Sequence, residues 1–194
     1  MAKAAEKFIL KDIRGSYVFI SGTGHVRDDG DDPQWEMQVI MPKDHPQLDK
    51  LKKTMWKVAT TAFGKGIKPK MISLPLRDGD EEKEEEEYEG CHFFNVKTYR
   101  PPGVVKRNGK AATAQDIEAL GYSGCYFTLS ITFKNYDHPE GGKGVRGELN
   151  HVMLLREGER LDGTTSASED FADEIDEDTE DEIDFDDLDD EIPF

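Results

Sequence analysis

The chain has 194 residues, with 42 acidic side chains against 25 Lys and Arg, and its net charge is -17. The charge is uneven, because residues 164–194 hold 16 acidic residues and no Lys or Arg, whereas residues 1–163 hold 26 acidic and 25 basic residues. Residues 1–163 suffice for one domain with its own core, so neither a disulfide nor a metal is needed to hold it. Two cysteines without a metal-binding spacing, an N-terminus without an apolar segment and only short apolar runs predict a soluble, cytoplasmic protein without a membrane-spanning helix.

Two β-strands are predicted in the first quarter of the chain. Residues 16–21 are rich in strand-forming types, and residues 35–41 alternate as a half-buried strand does. One face of the second strand carries Trp35, Met37, Val39 and Met41, and the other carries Glu36, Gln38 and Ile40. The acidic turn at residues 28–33 lacks the later Gly and the terminal Glu of an EF-hand loop, which disfavours a calcium site.

One amphipathic helix follows these strands. Its apolar residues recur at steps of three and four positions: Leu48, Leu51, Met55, Val58 and Ala62. Pro46 suits the first turn, and Gly64 and Gly66 end the helix. The apolar stripe favours packing on the core over a partner-binding surface. The lysines off that stripe face either solvent or phosphate.

Further strands are predicted in the second half of the chain. Residues 78–89 contain nine acidic residues and little that could be buried, so they are predicted as a mobile loop. Strand patterns cover residues 91–100, 124–136 and 147–156, and a short helix is predicted between the first two, with Thr113 and Asp116 as its N-terminal capping pair and Gly121 at its end.

These elements predict a mainly β fold, an OB-fold-like five-stranded barrel with one main helix. The helix comes earlier in the chain than in a standard OB-fold. The predicted domain covers residues 1–163, and residues 164–194 are predicted as a disordered acidic tail.

The usual signatures of catalysis are missing from the sequence. None of the Gly-Lys pairs is followed by Ser or Thr, so no Walker A loop is present, and no G-x-S-x-G elbow occurs. The five histidines show neither an H-E-x-x-H motif nor a Cys/His zinc spacing. We therefore expect a protein that is not an enzyme and that uses no cofactor and no metal.

Two strands carry an informative alternation. In each of them one face is apolar and predicted to be core: Phe94, Val96 and Thr98 in the first, and Phe127, Leu129, Ile131 and Phe133 in the second. The opposite faces mix aromatic and basic residues: Phe93, Asn95, Lys97 and Tyr99 in the first, and Tyr126, Thr128, Ser130, Thr132, Lys134 and Tyr136 in the second. Aromatic rings between cations are the chemistry that stacks bases and neutralises phosphates on a single strand.

The predicted nucleic-acid site combines these outer faces with nearby basic residues. Its members are Phe93, Lys97, Tyr99, Arg100, Lys106, Arg107, Tyr126, Lys134, Tyr136, Lys143 and Arg146. Outside the acidic segment at residues 77–89, the first 163 residues carry 23 basic and 17 acidic side chains, so the predicted domain itself is basic. The alternative is that tyrosines and threonines are simply good strand residues on a solvated face.

The end of the chain resembles a known family. Residues 183–194 are acidic throughout and end in Ile192-Pro193-Phe194. This end is similar to the C-terminal tip of bacterial single-stranded DNA-binding proteins, Asp-Phe-Asp-Asp-Asp-Ile-Pro-Phe, apart from an insertion and a Glu in place of an Asp. That resemblance implies a partner-binding tip made of Asp189, Asp190, Glu191, Ile192, Pro193 and Phe194.

The body resembles phage-encoded single-stranded DNA-binding proteins of the OB-fold type. The similar segments are residues 100–105, 123–126, 142–145 and 149–163, within a stretch that covers roughly residues 91–171. The resemblance implies a protein that coats and protects single-stranded DNA during phage replication, recombination or repair in the cytoplasm of the bacterial host. It also implies that the tail recruits replication, repair or recombination proteins of the host or the phage.

Three alternatives stay open at the level of the sequence. The first is an acidic DNA mimic or adaptor that occupies the DNA site of a host protein, although its acidic residues would then need a rigid surface. The second is a solubilising tail on an unrelated β-domain, which the specific Ile-Pro-Phe end disfavours. The third concerns assembly, since the sequence leaves open whether the protein forms a homo-oligomer.

Overall fold

The computed structural model describes residues 4–163, which form a closed β-barrel with one long helix. The elements in chain order are β1 Ala5–Phe19, β2 Trp35–Pro42, α1 Leu48–Phe63, β3 Arg77–Asp78, α2 Gly79–Glu82, β4 Cys91–Thr98, β5 Gly103–Lys106, α3 Ala114–Leu120, β6 Tyr126–His138 and β7 Gly142–Arg156. Two single turns of 3-10 helix lie at Pro69–Met71 and Glu86–Tyr88.

Five strands close the barrel in the order β4-β2-β1-β6-β7. Neighbours pair antiparallel, except that β4 and β7 close the ring in parallel, with Val96 opposite Gly147. A side chain at Gly147 would come within 2.9 Å of the Val96 side chain, so a glycine permits this close approach. Strands β3 and β5 extend the sheet beyond the ring. The prediction of a mainly β, OB-fold-like five-stranded barrel is confirmed.

The core follows the alternation that the sequence predicts. All four apolar residues on one face of β6 are buried, and so is the inner face of β4. Helix α1 contacts β1, β6 and β7, and its buried residues include Leu48, Leu51, Met55 and Val58. It ends at Gly64, whose φ of 91° suits glycine. The helix prediction and the predicted capping pair at the start of α3 are both confirmed.

Strand β1 is longer than the sequence predicted. The pattern indicated residues 16–21, whereas the strand covers Ala5–Phe19. Its pairing is irregular between Leu10 and Ile13 and again between Ser16 and Phe19. Each irregularity shifts the alternation of side chains between the two faces, so no continuous period-2 pattern marks the first part of the strand.

Strand β2 is buried on both faces, so the prediction of a half-buried strand is wrong. Its inner face packs in the barrel, as predicted. Its outer face is also covered, because Ile40 packs against Tyr88 and Phe93 in a second, smaller apolar cluster. A strand pattern reports alternation but not whether another segment lies over the outer face.

The acidic segment 78–89 supplies that cover, and its prediction as a mobile excursion outside the core is wrong. Tyr88 is fully buried, packs edge-on against Phe93, and donates its hydroxyl hydrogen bond to Gln38. Lys83 lies with its Nζ 4.7 Å from the centre of the Tyr88 ring. One aromatic residue among the acids thus packs the segment onto the sheet, while the carboxylates face solvent.

Several predictions fall partly or wholly outside the described residues. These are the domain boundary after residue 163, the disorder of residues 164–194 and the partner-binding tip. Within residues 4–163, no helix is long and apolar enough to cross a membrane. In the same part of the chain, no group of three or more His, Cys, Asp or Glu side chains is placed to hold a metal ion.

Candidate nucleic-acid interface

The first part of the candidate interface is a cleft where β4 meets the β6–β7 hairpin. It is lined by the end of β4 with the residues that follow, Lys97, Thr98, Tyr99 and Arg100, and by Lys134, Arg146, Gly147 and Glu148 across the closure of the barrel. Residues far apart in the sequence meet here because β4 pairs with β7, with Lys97 opposite Glu148.

The cleft carries excess positive charge. Lys134 forms an ion pair with Glu148, the one carboxylate among the lining residues. Within residues 4–163, no carboxylate lies within ion-pair distance of Lys97, Arg100 or Arg146. Three cations are therefore left to neutralise an anion such as a phosphate chain.

Tyr99 presents an open aromatic face beside these cations. Its side chain is 59% exposed, and the Nζ of Lys97 lies 5.6 Å from the centre of its ring. The same two residues also line a neighbouring cleft, together with Arg27, Gln34 and the carboxylates of Asp31 and Asp32 in the β1–β2 connection. Tyr99 and Lys97 thus join the first cleft to the surface beside β1 and β2.

A third cleft continues this surface along β1 and β2. Its lining includes Tyr17, Phe19, His25, Arg27 and Lys83. Tyr17 is 56% exposed and Phe19 is 39% exposed, both large aromatic rings in contact with solvent. Tyr17 lies at the second irregularity of β1 with a φ of 47°, an uncommon value for a bulky residue. Such irregularities re-aim side chains next to functional sites.

Arg27 is held in this third cleft by a buried carboxylate. Its Nε and Nη2 donate to the two oxygens of Glu36 at 3.0 and 2.6 Å. The hydrogen bonds to Glu36 raise the pKa of Arg27, so the guanidinium stays charged at every accessible pH. The ring of His25 stacks on Phe19 with centres 4.3 Å apart.

The three clefts form one surface, which we call the cation–aromatic strip. It comprises Arg100, Arg146, Lys134, Lys97, Tyr99, Arg27, His25, Phe19, Tyr17 and Lys83. Four carboxylates line the same clefts: Asp31, Asp32, Glu36 and Glu148. The basic side chains and exposed rings that are interleaved along the strip suit a flexible chain of phosphates and unstacked bases.

The structure brings together five of the eleven residues predicted for the site. These five are Lys97, Tyr99, Arg100, Lys134 and Arg146, all in the first cleft. Phe93 does not join them, because it is 1% exposed beneath the acidic segment and packs against Tyr88. The expectation that its ring faces outward to solvent is wrong, since the outer face of β4 is covered at this position.

The other five predicted residues are not among the residues that line the three clefts. Tyr126 lies in a separate cleft, where the guanidinium of Arg156 stands 3.8 Å from its ring centre. It is eight residues from Lys134 along β6, which corresponds to about 26 Å. Lys106 pairs with Asp116 in α3, and Arg107 follows in the turn after β5.

Tyr136 and Lys143 belong to the tip of the β6–β7 hairpin. Tyr136 packs against Gly144, where an added side chain would lie 2.4 Å from its ring. The Nζ of Lys143 lies 5.7 Å from the ring centre of Phe63 in α1. Tyr136 follows Lys134 by two residues on the same face of β6, so it borders the first cleft, whereas Lys143 contacts α1.

Sequence reasoning missed the residues that line the third cleft. The spacing of two between Tyr17 and Phe19 indicates that both rings lie on one face of a strand. The prediction from residues 16–21 concerned only the strand itself and not which face these rings occupy. Arg27 sits in a polar turn, and Glu36 is acidic, so neither suggested an interface for an anion. Their grouping depends on the β1–β2 pairing.

The sequence matches the family model described as "Enterobacter phage Enc34, ssDNA-binding protein" over residues 6–183, most of the chain. The chain belongs to this family. Among curated proteins, it is 39% identical over 99 residues to protein p50 of Acyrthosiphon pisum secondary endosymbiont phage 1. That match covers 50% of this chain and 51% of p50, so the chain matches about half the length of this relative.

Solved structures share the fold of this family member. The single-stranded DNA-binding protein from bacteriophage Enc34 in complex with ssDNA has a TM-score of 0.69 at 19% identity, covering 80% of this chain and 89% of that one. The single-stranded DNA-binding protein gp2.5 of bacteriophage T7 has a TM-score of 0.60 at 15% identity, covering 83% and 98%. At these identities the likeness is one of fold.

Proposed function

We propose that this protein binds single-stranded DNA without catalysing a reaction, and that the DNA follows the cation–aromatic strip. The observation that carries this proposal is the continuous line of exposed rings and basic side chains on one side of the barrel. Membership of the Enc34 ssDNA-binding protein family supports the same conclusion.

The chemistry of the strip favours a single strand over a duplex. Tyr99, Phe19 and Tyr17 offer ring faces, and only unpaired bases can leave their own stack to lie on such faces. The cations between them can neutralise phosphates regardless of base sequence. We therefore expect binding with little base preference, as a protein that coats and protects single strands in phage replication or recombination requires.

The acidic tail extends this proposal to protein partners. Phe194 offers a ring for an apolar pocket of a partner protein. Asp189, Asp190 and Glu191 would attract a basic surface around it. We propose that the tail recruits replication, repair or recombination proteins of the bacterial host or of the phage, in the host cytoplasm.

Salt-dependent titration tests the DNA-binding proposal. A labelled thymidine oligonucleotide of about 20 nucleotides exceeds the site size of one OB-fold, and a duplex of equal length serves as the comparison. Four to six phosphate contacts give a slope of log K against log salt near -3 to -4, from about -0.7 per contact on single strands. Tighter binding to the duplex, or to neither DNA, would contradict the proposal.

Two charge-matched triple variants locate the interface. Replacing Lys97, Arg100 and Arg146 by Ala removes three cations of the strip, and we expect the slope to fall by about 2. The control replaces three basic residues outside the strip, namely Lys106, Arg107 and Lys143, and removes the same net charge. Equal losses in the two variants would indicate a general charge effect and would count against the strip.

A pull-down tests the tail. Deleting Phe194 is expected to abolish capture of the tail's partners from a bacterial lysate while leaving single-strand affinity nearly unchanged. Phe171→Ala is the matched control, because it removes one ring from the same acidic tail away from the terminus. If both variants retain the wild-type partners, the tail has no terminal recognition motif.

A further inference from the structure

Glu36 is a carboxylate in the middle of a surface suited to a polyanion. It is 5% exposed on β2, opposite Phe19 of β1 and Lys97 of β4, two members of the cation–aromatic strip. A buried acid at this place is unexpected, because removing a carboxylate from water is costly and its charge repels phosphate. Its contacts explain why it is there.

The carboxylate of Glu36 joins three residues of the strip. Its Oε2 accepts from Nη2 of Arg27 at 2.6 Å, and its Oε1 accepts from Nε of Arg27 at 3.0 Å. Its Oε1 also lies 3.3 Å from Nδ1 of His25. The ring of His25 lies nearly parallel to that of Phe19, at an interplanar angle of 10°. One carboxylate thus fixes a cation directly and an exposed aromatic ring through His25.

The same contacts close the base of the β1–β2 connection. The backbone N–H of His25 donates to the carbonyl of Gln34 at 2.7 Å, and the N–H of Gln34 donates to the carbonyl of His25 at 3.0 Å. Glu36 lies two residues beyond Gln34 and bonds back to residues 25 and 27. The connection is therefore held where its side chains enter the strip.

We propose that Glu36 is a positioning residue for single-strand binding, an inference that rests on the proposed function. The fork of Arg27 uses two of its five N–H donors on Glu36 and leaves the others for a phosphate. The Arg27 side chain is 51% exposed, which lets a ligand approach it. An arginine whose orientation is already set loses less rotamer freedom when it binds DNA.

Glu36 could either repel the DNA or position Arg27, and the two roles predict opposite changes in DNA affinity when Glu36 is neutralised. If Glu36 only contributes negative charge, Glu36→Gln would release Arg27 and bind DNA more tightly, with a steeper salt slope. If Glu36 positions Arg27, the same variant binds DNA more weakly, and the slope falls by up to about 0.7 as one phosphate contact is lost.

Glu148, a second carboxylate that lines the strip, provides the matched comparison for Glu36→Gln. Glu148 pairs with Lys134 in the first cleft, and its side chain is 35% exposed, against 7% for Glu36. We expect Glu36→Gln to bind the thymidine oligonucleotide about 3- to 10-fold more weakly than wild type. We expect Glu148→Gln to bind it more tightly, with a steeper salt slope because Lys134 is released.

A double-mutant cycle separates positioning from a loss of folding. The loss caused by Glu36→Gln should be smaller in the Arg27→Ala background than in wild type, because Glu36 positions Arg27. Arg27→Lys, at an exposed position, keeps the charge but lacks the fork, and it should weaken binding even if Glu36→Gln fails to fold. Thermal melting of each variant checks the fold.

The outcomes distinguish this inference from the proposed function. Wild-type protein that does not bind the oligonucleotide would overturn the proposed function. Two results would overturn only the positioning role of Glu36, provided that the wild-type protein binds the oligonucleotide. The first is a Glu36→Gln variant whose affinity equals or exceeds that of wild type. The second is that the losses of affinity from Glu36→Gln and Arg27→Ala are additive. The positioning role would also be overturned if Arg27→Lys bound the oligonucleotide as tightly as wild type does.

Discussion

Replacement of Tyr99 by Ala tests the stacking role of the strip most directly. Tyr99 is 59% exposed, so the free energy of unfolding should change by no more than about 0.5 kcal/mol. A base stacked on such a ring contributes about 1–3 kcal/mol to binding. At about 1.4 kcal/mol per factor of ten, Tyr99→Ala should bind single strands about 5- to 150-fold more weakly.

The salt dependence separates stacking from charge in this experiment. Stacking releases no counterions, so fluorescence anisotropy at several salt concentrations should show a weaker affinity with an unchanged slope. Tyr99→Phe keeps the ring and should stay within a factor of about two of wild type, since base stacking uses the π-face rather than the hydroxyl. A slope that falls with Tyr99→Ala would mean that Lys97 had moved with the ring.

Tyr126→Ala is the most informative comparison. The alternation of strand residues placed Tyr126 and Tyr99 in one interface, whereas the structure puts Tyr126 in another cleft beneath Arg156. We expect Tyr126→Ala to bind single strands as wild type does. If Tyr99→Ala binds normally and Tyr126→Ala does not, the path of the DNA lies elsewhere on the barrel and the strip is the wrong surface.

Three further outcomes are expected. Tyr88→Ala should lower the free energy of unfolding by about 3–5 kcal/mol in a denaturant titration, because a fully buried ring is lost, and a value near zero would contradict its anchoring of the acidic segment. Hydrogen bonds from Lys43 lower the pKa of Asp78 and Asp80 below the usual 3.8, so the stability that they contribute is present above that pH and lost as the pH falls through the lowered values. Lys43→Ala should therefore melt below wild type at pH 7, and the two should converge as the pH falls through the lowered pKa values of Asp78 and Asp80; a constant difference would contradict this. Deleting residues 164–194 should tighten single-strand binding, most at low salt, because the tethered acidic tail competes with DNA for the strip; equal or weaker binding would show that it does not.

Much of the architecture could be predicted from local patterns. The stripe of α1, the inner faces of β4 and β6 and the capping pair of α3 depend on residues close in sequence, and each is confirmed. These patterns can be recognised in the sequence because a face that is buried in the core must be apolar, whatever else the protein contacts. The first half of β1 left no such pattern, since two irregularities shift its alternation.

The candidate site was predicted only in part, because alternation does not report what covers a face. Phe93 and Tyr99 share one face of β4 and its continuation, yet the first is buried and the second is exposed. The difference comes from Tyr88, which reaches Phe93 from an acidic segment whose composition indicated a solvated loop. A single aromatic residue outweighed the surrounding charges, since its burial leaves the carboxylates in water.

The sequence alone determined that the first 163 residues form a β-barrel, which strand and helix faces make up most of its core, and that an acidic segment ending in Ile-Pro-Phe follows. Only the tertiary structure decided which outward residues act together. Closure of β4 on β7 brings Lys97 and Arg146 into one cleft, and the pairing of β1 with β2 places Tyr17 and Arg27 beside them. Local patterns cannot contain this information, because contacts between strands depend on barrel closure and register rather than on neighbouring residues.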